Sequence, residues 1–343
     1  MSTAGRSSPG RTSASQPVIA RRSLLSVSVA TLPPLRLSGA ILPRLEVAVE
    51  TLPAPRRAGV APSNAIDALG PQAVAVTILG AYLRPRDGAI TAGGLVRLLA
   101  DLGFSEGSSR VAFTRLVTRK HIERRRAGST ALYTLGVRGR DLLAEGDRRI
   151  FSFGASRGAD EPWTVLWHAV PSTRRAQRAR LARRLRFLGF GPLQDGTWIA
   201  AHDRELEVTS LLDRLDVAEY ASVLVGRPAA STDFRPVVER AWDLEGLSRR
   251  YEDFVAEFRP FLSERARRSI SDRRAFIGRT RLVHLYRGFP MLDPEIEPPL
   301  APEPAFREEA IGLFGYLYDS LAEPAQRYFD EVTGRSAARP RGG

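Results

Sequence analysis

The stretch Leu95–Arg126, LVRLLADLGFSEGSSRVAFTRLVTRKHIERRR, decides the fold. Leu95, Leu98, Leu99 and Leu102 follow the i, i+3, i+4, i+7 spacing of a helix with one apolar face. Gly103 can take the left-handed conformation that ends such a helix. Ser105, two residues on, is an N-cap residue whose hydroxyl takes up an orphan backbone N–H. The pattern predicts two helices joined by a short glycine-containing turn, a helix-turn-helix. In the second helix, Ser105–Arg119, the positions Ser109, Ala112, Phe113 and Leu116 share one face, and Phe113 and Leu116 pack inward. The other face shows Ser108, Arg110, Thr114 and Arg115. Arginine can grip guanine O6 and N7 bidentately, while Ser and Thr donate to bases or phosphates. Any amphipathic helix also turns polar residues outward, so this face alone does not single out DNA.

The segment beyond the helix points to DNA more directly. Between Ser105 and Arg126 seven basic residues stand against Glu106 and Glu123. His121–Arg126 and Thr130–Leu135 read as two short strands around Ala127-Gly128-Ser129. Arg124, Arg125 and Arg126 then sit on or beside a hairpin tip, where a wing touches phosphates or the minor groove. Upstream, Gln72–Leu83 has helical spacing, and Val137–Ile150 resumes it downstream. Helix, helix-turn-helix, hairpin, helix is the order of a winged helix-turn-helix, placed at 71–150. The candidate DNA-binding residues are Ser105, Ser108, Arg110, Thr114, Arg115, Arg119, Lys120, Arg124, Arg125 and Arg126.

The placement of charge agrees. The chain of 343 residues has a formal net charge of +13, and Lys120 is its sole lysine. Residues 71–150 carry 14 basic and 7 acidic side chains, residues 1–70 carry 8 and 3, and residues 151–343 carry 29 and 28. A basic module joined to a balanced one suggests a nucleic-acid reader with a separate sensing or assembly part. Residues 1–70, rich in Ser, Ala, Pro, Gly and Arg, read as a disordered or mis-started extension. Arg21-Arg22 before Ser23–Leu32 resembles a twin-arginine export signal, but Pro33-Pro34 interrupts the apolar part and no small-residue cleavage site comes after it. No run approaches the roughly 18 apolar residues of a membrane span, so a cytoplasmic protein is expected.

Past residue 160 the pattern changes. Trp163–Val170, Arg174–Leu188, Phe190–Leu193, Thr197–Ala200, Arg204–Leu215 and Tyr220–Val225 read as strand, helix, strand, strand, helix, strand. That is the split βαβ, ferredoxin-like arrangement, placed at 160–228. Seven arginines, including Arg174 and Arg178, crowd its first helix. One reading is a phosphate site for a coenzyme A nucleotide, with Trp163, Trp167 or Trp198 nearby for stacking; the other is an exposed helix flank in an arginine-biased chain. Residues 233–323 read as helical, with a long helix near Glu264–Tyr286, a proline-rich linker, a last helix near Ala305–Leu321, and a tail at 324–343. The fold class expected is α+β.

Catalytic signatures are missing. The chain has no cysteine, and its histidines (His121, His168, His202 and His284) lack metal-ligand spacing. There is no phosphate-binding Gly-Lys-Ser loop. Neither catalytic nor metal-binding residues are assigned, and no cofactor.

The chain resembles the PaaX family of repressors, named for control of phenylacetic acid catabolism. The resemblance rests on Ser105–Arg124, on Leu188–Ala200 (LGFGPLQDGTWIA), on Ala241–Phe254 (AWDLEGLSRRYEDF) and on Thr280–Pro294 (TRLVHLYRGFPMLDP), within residues 72–320. It implies a winged helix, a ferredoxin-like middle domain and a helical C-terminal effector and dimerisation domain. It also implies a homodimeric repressor of double-stranded DNA operators, released by an aryl-acyl-CoA such as phenylacetyl-CoA. Trp163, Arg174, Arg178 and Trp198 are the candidate effector residues. Two departures stand out: Lys120 and His121 replace a Gly-Trp pair before the wing, and Gly107 replaces an early arginine of the recognition helix. The middle domain also resembles ferredoxin-like CRISPR-associated nucleases, but its first strand ends Ala169-Val170-Pro171 without their aspartate. The alternatives are a winged-helix regulator with another effector or none, and an enzyme of acyl-CoA metabolism.

Overall fold

The first helix, α1 (Gly70–Ile78), runs on through a π-helical turn at Leu79–Leu83, and almost every apolar side chain on it is buried. The computed structural model describes residues 70–127, 130–155, 161–263, 270–296, 298 and 300–334. Residues 1–69, with Arg21-Arg22, and the turn residues Gly128 and Ser129 lie outside that description. After the two-residue strand β1 (Ala89–Ile90), Thr91 caps α2 (Ala92–Asp101) by accepting from the Gly94 amide at 3.0 Å. Leu95, Leu98 and Leu99 are fully buried on its inner face. Gly103, at φ +95°, makes the left-handed turn into α3 (Glu106–Thr118). Strands β2 (Ile122–Ala127) and β3 (Thr130–Leu135) form an antiparallel hairpin, and β1 adds to the far side of β3 in the order β1-β3-β2. Helix α4 (Val137–Ser152) completes the segment. β1 is a strand that the sequence pattern did not indicate, because two residues carry no period.

The middle segment folds as β4 (Trp163–His168), α5 (Arg175–Phe187), β5 (Gly191–Gln194), β6 (Thr197–Ala200), α6 (Glu205–Arg214) and β7 (Ala221–Gly226). The sheet order is β5-β6-β4-β7 with every neighbouring pair antiparallel. On one face Leu166 and Trp198 pack with Leu181 and Leu185 of α5 and with Val208 and Leu211 of α6. On the other, Trp163 and Ile199 meet Val238, Ala241 and Trp242 around α7 (Arg235–Ala241). The class is α+β.

The remaining helices are α8 (Leu244–Phe258), α9 (Asp272–Tyr286), the one-turn α10 (Phe289–Leu292), α11 (Arg307–Ser320) and α12 (Ala322–Thr333). Two expectations change here. The long helix starts at Asp272, where Ser271 caps it by accepting from the Arg274 amide, and residues 264–269 lie outside the description. The expected tail is helical through Thr333, with Ala325, Tyr328 and Phe329 buried. Pro324 sits in the first turn of this helix, where its missing N–H and fixed φ are tolerated. Residues 335–343 lie outside the description.

The main hydrophobic core joins the first segment to these last helices. Tyr82 stacks on Phe329 at 5.3 Å, lies 5.2 Å from Phe276 and shares a 3.1 Å hydroxyl contact with Thr280. Arg279 is buried between, its guanidinium 5.3 Å from the Tyr82 ring and 4.3 Å from Tyr318. Thus α1 is covered on both sides, and a periodicity read from one helix could not name its second cover.

A polar pair crosses the same seam. Arg287 donates to the Thr77 hydroxyl at 2.8 Å, and that hydroxyl lies 2.9 Å from His284 Nδ1. Burial, then the charges of Arg287 and Arg281, push the His284 pKa down to about 3. The unfolded chain therefore binds a proton that the folded one refuses. Stability is complete above about pH 6.5 and falls as pH drops toward 3, with a limiting slope of about 1.4 kcal/mol per pH unit. His284→Leu should remove this part of the slope in urea titrations run at pH 6 and pH 4. An unchanged slope would count against a neutral buried imidazole.

Candidate nucleic-acid interface

The surface of α3 is built from local hydrogen bonds first. Ser105 accepts from the Ser108 amide at 3.3 Å and opens α3. Ser109, Ala112 and Leu116 are buried against the neighbouring helices, with Phe113 half-buried against Tyr133 of β3 in an edge contact at 4.8 Å. That contact fixes the hairpin to the helix. The face turned to solvent carries Arg110, Val111, Thr114, Arg115 and Thr118, with Ser108 half-exposed beside it. Gly107 is also outward, and open space lies where a side chain would project. Four hydroxyls are already engaged with their own helix: Ser105 with Ser108, Ser108 and Ser109 with the Ser105 carbonyl, and Thr114 with the Arg110 carbonyl. They keep acceptor capacity and can re-donate on contact with a base or phosphate.

Arg110 is tied back to Glu106, Nε to Oε1 at 2.9 Å, as an exposed i,i+4 pair. Exposed pairs of this kind are worth only about 0.3–0.5 kcal/mol, so Arg110 is released at little cost when an acceptor is offered. Val111 was not anticipated from sequence. It is half-exposed in the middle of the polar face, where apolar contact with a thymine methyl is possible chemistry. Its signal was an apolar letter at a position that the helical spacing turns outward, between Arg110 and Thr114.

In the hairpin, Arg124 pairs across from Tyr133 and Arg125 from Leu132, and both arginine side chains are exposed. Arg126 is opposite Ala131, and its side chain lies outside the described residues. Arg119 and Lys120 are exposed in the turn between α3 and β2. Lys120 holds a left-handed φ of +57°, and its amide donates to the Val117 carbonyl at 2.9 Å. Helix α4 approaches this turn closely: a Cβ on Gly139 would stand 2.1 Å from the His121 carbonyl oxygen. His121 is held below its ordinary pKa by burial, then by Arg119 and Arg138. Since a non-glycine residue in the left-handed region costs about 1–2 kcal/mol, Lys120→Gly should raise the melting stability by up to about 1 kcal/mol. A variant that melts lower would contradict the strain.

The four candidate effector residues do not come together. Alternation along β4 and the Leu166–Trp198 register put Trp163 and Trp198 on opposite faces of the sheet. Trp163 is wedged between Phe234 and Trp242 at 5.1 and 6.2 Å, and both tryptophans are buried. Arg174 is held by Asp216 at 3.0 Å and Arg178 by Asp195. Those acids lie 42 and 17 residues away, outside any local reading of the helix. Among the described residues no group of His, Asp and Glu side chains is placed to hold a metal, and no helix is long and apolar enough to cross a membrane.

Three family profiles match successive parts of the chain: PaaX-like protein over residues 71–139, PaaX protein central Cas2-like domain over 156–238, and PaaX-like protein C-terminal domain over 242–331. The chain is 26% identical over 275 residues to Transcriptional repressor PaaX of Escherichia coli (strain K12), covering 78% of this chain and 85% of that protein. Among solved structures it matches Uncharacterized protein Rv0674 from Mycobacterium tuberculosis, at 22% identity and a TM-score of 0.47, covering 74% of this chain and 96% of that one.

Proposed function

Because this chain belongs to the PaaX family of transcriptional regulators, we propose that it is a DNA-binding repressor of aromatic-compound, phenylacetate-like catabolism, and not an enzyme. The observation that carries the reading is the exposed face Ser108–Arg115 of α3, locked by Phe113 and Tyr133 beside the exposed hairpin arginines. On this reading residues 71–150 are a winged helix-turn-helix, with α3 as recognition helix and the β2–β3 hairpin as wing. The strand order β5-β6-β4-β7 likewise supports a ferredoxin-like middle domain at 160–228. The working form is a cytoplasmic homodimer, whose two recognition helices enter successive major grooves about 10 bp apart.

Arg110, once free of Glu106, reads a guanine edge; Arg115 and the hairpin arginines meet phosphates. An aryl-acyl-CoA effector favours a conformation with the wrong helix spacing. For a complete switch it must bind that conformation about 10⁴-fold better than the DNA-competent one.

The test compares two variants on native and scrambled operators. Arg110→Ala should cost about 1–3 kcal/mol at one base position and relax sequence preference there. Arg125→Ala should weaken both DNAs alike and reduce the salt slope by about 1. Two variants with the same profile on both DNAs would remove the division between reading and anchoring.

A further inference from the structure

One apolar side chain stands in the middle of the exposed face of α3. A single exposed valine on a protein surface is ordinary; the position of Val111 is not. With about 100° of turn per residue, Gly107, Val111, Thr114 and Thr118 fall within about 60° of one another, opposite the buried Ser109, Ala112 and Leu116. They form the outer ridge of the helix, all four exposed and none of them charged. Arg110 and Arg115, also exposed, lie on either side of it.

The ridge is also low. Gly107 has no side chain, and nothing lies within 4 Å of the place where one would start. The Thr114 hydroxyl donates back to the Arg110 carbonyl at 3.0 Å, so its hydrogen is engaged within the helix. Val111 offers two methyl groups and no hydrogen bond. Long side chains along this line would hold the helix away from whatever it faces. Short ones let the backbone come close, while Arg110 and Arg115 reach outward past it.

Close approach restricts what Val111 can meet. Base edges in the major groove carry amino groups, ring nitrogens and carbonyl oxygens, and an apolar cover takes water from each of them. A polar group left without a partner in this way is costly. Thymine alone among the four bases adds an apolar group, its C5-methyl. Against that methyl, Val111 excludes water and leaves nothing unpaired.

We propose that Val111 is a specificity-determining residue, selecting thymine at one position of each half-site by packing on its C5-methyl group. The inference rests on the repressor reading above, with α3 as recognition helix, and adds to it a base that no arginine reads. A methylated cytosine offers the same group, so the test separates the methyl from the rest of thymine.

The full chain is first used to enrich a duplex from a random-sequence pool. In that duplex each thymine is replaced in turn by uracil, which removes the C5-methyl and nothing else. Affinities are read by fluorescence anisotropy at one salt concentration. One thymine in each half-site should respond, with binding about 3- to 10-fold weaker, the scale set by burial of a methyl-sized group. Val111→Ala should bind the thymine duplex weaker by a similar factor and no longer distinguish uracil at that position. Val111→Ile keeps an apolar contact and should still distinguish it. With a cytosine–guanine pair placed at the same position, methylation of the cytosine at C5 should strengthen binding by the wild type and not by Val111→Ala. Alanine at this exposed site favours the helix, so loss of fold does not mimic these results. A wild type that binds the selected duplex but is indifferent to every uracil overturns the inference and leaves the repressor reading standing. So does a Val111→Ala variant as sensitive to uracil as the wild type. If no duplex is enriched over the pool, the repressor reading itself fails and the inference goes with it.

Discussion

Raising salt from 50 to 200 mM should cost about 10³–10⁵ in operator affinity if the chain acts as the proposed dimer, the loss expected for about 6–10 phosphate contacts. That range comes from the exposed cations around α3. Arg115, Arg119, Lys120, Arg124 and Arg125 make no ion pair among the described residues, and Arg110 has only the weak partner Glu106. If about three to five of these in each protomer meet phosphates, two protomers reach that range, and each contact releases condensed counterions. Two acids, Glu106 and Glu123, lie within this stretch and oppose the field. Fluorescence anisotropy with a labelled operator at several salt concentrations measures the slope directly. A flat response would mean that the basic surface meets something other than nucleic acid.

The largest loss of stability is expected from Asp293→Ala. The Asp293 side chain is almost fully buried and accepts from Tyr251 at 2.6 Å and from Arg307 Nε at 2.8 Å; its second oxygen takes the Glu295 amide at 2.7 Å. Burial, then the Asp293 charge, pushes the Tyr251 hydroxyl pKa well up, so Tyr251 remains a donor at any working pH. Removing the carboxylate strands all three donors. Among the described residues Arg307 then keeps Glu295 and Glu303, each at 3.7 Å and beyond hydrogen-bond reach, and the Phe153 ring at 5.3 Å. Breaking a buried pair in this way costs about 3–5 kcal/mol. Asp293→Asn retains one acceptor and should cost less. Urea unfolding of the three proteins gives the ranking, and an alanine variant as stable as the wild type would show that water replaces the carboxylate.

These residues explain why two of the downstream motifs are informative. Tyr251 lies in AWDLEGLSRRYEDF and Asp293 in TRLVHLYRGFPMLDP, and they hydrogen-bond to each other. From the second motif Thr280 meets Tyr82, and His284 and Arg287 meet Thr77. The letters that carried the resemblance are the ones that fasten the C-terminal helices to the first helix. They say what the chain is built like; the face of α3 bears on what it touches.

What the sequence determined alone was whatever neighbours along the chain decide. Gly103 turning left-handed, Ser105 capping α3, the leucine face of α2 and the hairpin around residues 128–129 all depend on interactions within a few residues. They were legible for that reason. The tertiary structure decided what depends on distant partners. The two covers of α1, the helix beyond Pro324 and the ion pairs that occupy Arg174 and Arg178 join residues that no local period connects. So does the separation of Trp163 from Trp198 across a sheet. Arg149 shows the difference most plainly: in the sequence it is one more arginine in a helix, and only packing against Phe187 and Pro290 leaves it buried with a hydrogen bond still to make.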